Sequence, residues 1–111
     1  MKPTVELEIL DEHAGPVVAR HVCAAVAVRV GLGPLAADRI GTRIEHAMRA
    51  VGCPIHLAVS VDASEAVIAF TAESSGWQTA AMAALGGTLA SRTHSAVELR
   101  LRRPPLALVE G

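Results

Sequence analysis

The chain has no tyrosine, one phenylalanine (Phe70), one tryptophan (Trp77) and a single lysine. Platforms for single-stranded nucleic acid stack bases on several aromatic rings, so two rings in 111 residues exclude that class. A formal net charge of −1 leaves no basic footprint for duplex DNA. Long apolar runs are missing too. The most apolar stretch, residues 17–30, is interrupted by Arg20, His21 and Arg29 and is shorter than the about 20 residues a bilayer span needs. Glu6 and Glu8 stand where a signal peptide would be apolar, so the expectation is a cytoplasmic protein without a membrane span. In that compartment the two cysteines, Cys23 and Cys53, are expected as reduced thiols in or near the core.

Alanine, valine and leucine are abundant instead, at 21, 13 and 11 residues. An apolar share of 51% and a mean hydropathy of +0.40 exclude intrinsic disorder, because burial can offset the ordering entropy. The length allows one domain, placed at residues 1–105, with 106–111 as a C-terminal tail.

Val5, Leu7 and Ile9 alternate with Glu6 and Glu8, the period of a half-buried strand. After a turn at 11–15, Pro16 can sit at the start of a helix in which Val18, Val22, Ala25, Val26 and Arg29 recur at helical spacing, with Arg20 and Ala24 on other faces. Gly31 to Pro34 stops it. A second helix follows, with Leu35, Ile40, Ile44, Ala47, Met48 and Val51 on its apolar side, ended by Gly52 to Pro54. Two strands joined by a turn at 62–65, an alanine-rich helix from Trp77 to Leu85, and a hairpin about 92–95 complete the chain, with Pro104-Pro105 as a stop. The order β-α-α-β-β-α-β-β predicts an α+β two-layer sandwich, with helices on one face of a mixed, mostly antiparallel sheet.

With these breaks, the segments "PVVARHVCAAVAVRVGL", "LAADRIGTRIEHAMRAVG" and "LGGTLASRTHSAVELRLRRP" resemble the histidine-kinase-like ATPase domain of bacterial anti-sigma factors and switch serine kinases, over residues 4–104. The resemblance implies a Bergerat-type fold. It also places Glu45 at the family's general base on the second helix. Four residues on, Arg49 replaces the asparagine that holds Mg²⁺, and a cation there repels the metal. Where the family has an Asp-x-Gly-x-Gly loop against adenine, the chain reads Glu73-Ser74-Ser75-Gly76-Trp77. No Gly-rich lid precedes the last hairpin; the alanine-rich helix stands there. The resemblance therefore implies a degenerate member that has lost nucleotide binding, with no cofactor.

Other chemistry is weakly supported by the residues. His21, Cys23, Cys53 and His56 form H-x-C and C-x-x-H pairs, yet residues two apart on a helix point about 200° apart and cannot share one zinc ion, so no metal site is expected. No G-x-S-x-G elbow presents a serine nucleophile. Gly31-Leu32-Gly33 follows a helix instead of opening one, and like Gly86-Gly87 it reads as a stop, not a phosphate cradle. Arg39, Arg43 and Arg49, with Asp38 and His46, form a charged helix face; solvation explains it, and so does docking to an acidic partner. Arg100, Arg102 and Arg103 project from the last strand. Trp77 either fills the core or anchors an interface.

These readings combine into an expected regulatory protein–protein interaction module, with Arg39, Arg43, Arg49 and Trp77 as partner-binding residues. The resemblance implies a sigma factor, a small anti-anti-sigma-like domain or a second copy as partner. The enzymatic alternative is an ATP-dependent serine kinase or ATPase, with Mg²⁺, Glu45 as base and Glu73 and Gly76 beside the nucleotide. A structural or oligomerisation protein is the third class.

Overall fold

Alternation of apolar and polar residues, and its replacement by helical spacing, divides the described residues into eight elements. In the computed structural model, which describes residues 5–86 and 90–102, these are β1 (Val5–Ile9), α1 (Ala14–Arg29), α2 (Pro34–Val51), β2 (Ile55–Val61), β3 (Glu65–Ala72), α3 (Trp77–Leu85), β4 (Ala90–Arg92) and β5 (Val97–Arg102). The order and type of every element match the sequence expectation. The Pro104-Pro105 stop, Leu89 and the tail at 106–111 lie outside the described residues.

The five strands form one sheet in the order β1-β2-β3-β5-β4. Each of its ladders is antiparallel, so the sheet expected as mixed is wholly antiparallel among the described residues. One row of paired residues, Val5–Val59–Ile68–Leu99–Ala90, crosses all five strands. A second runs Leu7–Leu57–Phe70–Val97. Both rows face the helices, and their central members are fully buried. Period-two alternation thus puts the core on one side of the sheet and leaves on the other a mixed face, where Ala58, Val67 and Ala69 lie among Glu6, Glu8, His56, Glu98 and Arg100.

The helical layer corrects two expectations. On α1 the buried residues are Pro16, Ala19, Cys23 and Ala27, not the valines at helical spacing. Val18 is 48% exposed, and Ala25 and Arg29 are also exposed. Valines and alanines occur on every side of this helix, so periodicity alone could not choose a face. The choice is made by α2. A Cβ built on Gly41 would lie 2.7 Å from the Arg20 carbonyl oxygen and 3.4 Å from Ala24 Cβ. Contact that close requires small residues, and α1 supplies alanine and cysteine along its inner side. On α2 the stripe holds at Ile40, Ile44, Ala47, Met48 and Val51, but Leu35 in the first turn is 77% exposed and Ala37 is buried in its place.

Polar groups fix the connections. Asp11 accepts hydrogen bonds from the Ala14 and His13 amides at the start of α1. Asp62 does the same for Ser64 and Glu65 in the β2–β3 turn. Those amides hold both carboxyls below the usual carboxylate range. Gly76, at φ +72°, takes the left-handed conformation needed to enter α3.

Candidate functional site

The residues singled out on α2 do not form one surface. Glu45 and Arg49 lie one helical turn apart on the side facing α1. Glu45 Oε1 is 3.0 Å from Arg20 Nη1, and its Oε2 accepts from Arg49 Nη2 at 2.9 Å and Nε at 3.2 Å. Arg49 also donates to the Glu12 carbonyl at 2.8 Å, tying α2 to the turn before α1. The carboxylate side chain is only 13% exposed. Its hydrogen bonds to Arg49 and the nearby charge of Arg20 hold the Glu45 carboxyl below the usual range, against the opposing effect of burial. A carboxylate with both oxygens engaged by guanidinium groups is a poor proton acceptor. Arg49 is likewise tied to Glu45 and the Glu12 carbonyl, while its side chain stays 43% exposed to solvent.

Arg39 and Arg43 lie on another side of α2, facing β5. Together with Leu32, Ala36, Ile40, Arg100, Leu101 and Arg102 they line a groove of about 440 Å³. No carboxylate lines it among the described residues. Arg100 and Arg102 both reach Glu65, at 3.1 and 2.8 Å, on the outer sheet face. Arg43 donates to the Leu85 carbonyl at 3.3 Å, so it stabilises the negative end of α3. Arg39 makes no hydrogen bond or ion pair among the described residues. The sequence marked the α2 arginines but not their meeting with Arg100, Arg102 and Leu101, which are about 60 positions away. The alternation of arginine with leucine at 99–102 was the available signal.

Trp77 opens α3 and stacks on Phe70, with ring centroids 6.0 Å apart and planes inclined by 26°. It is half-buried and packs against the core. The adjacent loop holds Glu73 and Gly76, both exposed, and Ser74 donates to the Val51 carbonyl at the end of α2. Glu73 lines a shallow recess of about 280 Å³ with Glu8, His56 and Thr71 on the outer sheet face. Glu45 is not among the residues lining that recess.

On this outer face His56 sits between two acids. Its Nδ1 meets Glu8 at 2.5 Å and its Nε2 meets Glu6 at 3.1 Å. The hydrogen bond to Glu8, aided by Glu6, raises the imidazole pKa above its ordinary value, partly offset by burial. Cys23 is fully buried, and desolvation pushes its thiol to about 12. Cys53 is partly exposed and both thiols are free. Among the described residues no group of three histidine, cysteine or acidic side chains could hold a metal ion, and no helix is long and apolar enough to cross a membrane. No known family model matches the chain, and neither does any curated protein.

Proposed function

We propose that this protein is a regulatory protein–protein interaction module, of the kind the anti-sigma and switch-kinase resemblance implies, that does not use nucleotide. The observation that carries this reading is the state of Glu45. In an ATP-dependent kinase of that design this acid would be a free base beside a metal-bound phosphate. Here Arg20 and Arg49 occupy both its oxygens, and Arg49 stands where a metal-binding amide would be needed. The arrangement suits a structural clamp between two helices and a turn. Arg39, by contrast, is a guanidinium with no internal partner among the described residues, next to apolar surface, which is the chemistry of recognition.

Two measurements test this. Calorimetry with ATP or ADP and Mg²⁺ at millimolar concentration is expected to give no binding heat; saturable heat would favour the kinase or ATPase alternative. Immobilised protein is expected to retain one discrete host protein at near-stoichiometric yield, identified by mass spectrometry. Retention of none would remove the interaction reading.

A further inference from the structure

We propose that the groove between α2 and β5 receives an amphipathic helix from a partner, with acidic residues one turn apart flanking its apolar stripe. This rests on the interaction-module reading and names the chemistry of the partner. Arg39 and Arg43 are spaced i,i+4, so their side chains leave the same face of α2 about 5–6 Å apart at Cβ. Like charges at that spacing weaken a helix, and no carboxylate among the described residues neutralises this pair. The acid nearest in sequence, Asp38, is not among the groove-lining residues. Two acids at i,i+4 on a partner helix match the pair in spacing and sign, and guanidinium groups bind carboxylates through paired N–H donors.

The surface between the charges selects a peptide over a simple anion. Leu32, Ala36 and Ile40 continue along α2 and the preceding turn, and Leu101 joins the lining from β5. Ile40 and Leu101 are already buried, so the accessible apolar surface is Ala36 and half-buried Leu32; an inorganic anion would leave it wet, whereas a helix with an apolar stripe covers it while its acids meet the arginines. Leu35, 77% exposed and one helical turn before Arg39, does not line the groove but offers further apolar surface on that side of α2. Arg43 keeps one N–H on the Leu85 carbonyl and has further donors for a ligand.

The probe is a set of three fluorescein-labelled, helix-stapled peptides sharing one leucine stripe, with glutamate, glutamine or lysine at the two flanking positions. Fluorescence anisotropy is expected to show the glutamate peptide binding the wild-type protein about tenfold tighter than the glutamine peptide. R39E is expected to weaken the glutamate peptide by a similar factor and to gain affinity for the lysine peptide. Because Arg39 makes no hydrogen bond or ion pair among the described residues, R39E should keep the wild-type melting temperature, and R39M gives a charge-free check. Equal binding of all three peptides, or glutamate-peptide binding unchanged in R39E, overturns the groove assignment. Inorganic phosphate displacing the glutamate peptide at equal concentration would overturn it in favour of a simple anion site. The broader reading is judged separately: nucleotide binding would defeat it whatever the peptides do, and a retained host partner with no charge preference in the groove would leave it standing.

Discussion

Replacing Gly41 with alanine sets two effects of opposite sign against each other, and the structure decides between them. In an exposed helix interior the change stabilises by about 1 kcal/mol, because glycine loses more backbone entropy than alanine on folding. At this position the added methyl would sit 2.7 Å from the Arg20 carbonyl oxygen, 3.0 Å from Arg20 Cγ and 3.4 Å from Ala24 Cβ. A carbonyl inside a helix cannot rotate away, so α1 and α2 must part. Relief requires a separation of roughly 0.5–1 Å, which forfeits a quarter to a half of the dispersion energy of the atoms facing each other there. Overpacking of this kind costs about 1–3 kcal/mol before the propensity gain is returned. Arg20 also carries one side of the Glu45 clamp, so moving α1 lengthens that ion pair as well. Overpacking less the propensity gain leaves a loss of up to about 2 kcal/mol, to which the lengthened ion pair adds, or several degrees of melting temperature for a chain of this size. Thermal and urea denaturation followed by circular dichroism measure it. Adding Ala24→Gly should not restore stability, because the obstructing atom is backbone. A melting temperature equal to or above wild type, or rescue by that second change, would refute the close-packing argument.

Glu45→Gln should leave Arg20 and Arg49 facing each other without a carboxylate and lower the melting temperature by a few degrees at neutral pH. The Glu45 pKa is depressed in the folded state, so its contribution is present above the unfolded carboxylate pKa and is lost as pH falls through the folded value. The two proteins should therefore converge in stability in acid, and a difference that persists there would exclude the clamp as its cause. His56 should titrate above about 6.5 by NMR, and Glu8→Gln should return it toward that value. Its folded pKa is raised, so the stabilisation is complete below the unfolded pKa and disappears as pH rises through the folded one; an unchanged titration in Glu8→Gln would disprove the pairing. A thiol-reactive probe should modify Cys53, whose thiol is raised by desolvation and the nearby Glu12 and Asp11 but stays accessible, ahead of Cys23, which is buried with its thiol pushed to about 12 and should react only after unfolding. Equal rates by mass spectrometry would contradict the buried position of α1's inner face.

Much of the fold was legible because local chemistry carries it. Alternation at 5–9, 55–61 and 97–101, helical spacing at 34–51, and the stops at Gly31 to Pro34 and Gly52 to Pro54 specify element type without reference to the rest of the chain. The inner face of α1 was not legible, since a helix apolar on all sides has no preferred direction of its own. Its orientation comes from Gly41, which lies 21 residues beyond Arg20 in sequence and touches it only once the helices pack.

The candidate site divides in the same way. Sequence alone placed Glu45, Arg39, Arg43 and Arg49 on one helix and supplied the absence of aromatic platforms and of a basic surplus. It could not separate the arginines by role, because residues on one helix acquire different neighbours according to what packs against each side. Tertiary structure gave Arg49 to Glu45 and the Glu12 carbonyl, gave Arg43 to the end of α3, and left Arg39 beside Leu101 and Arg102 without a carboxylate among the described residues. Periodicity fixes what a segment becomes; only the long-range contacts of the folded chain decide which charges are neutralised and which remain available for a ligand.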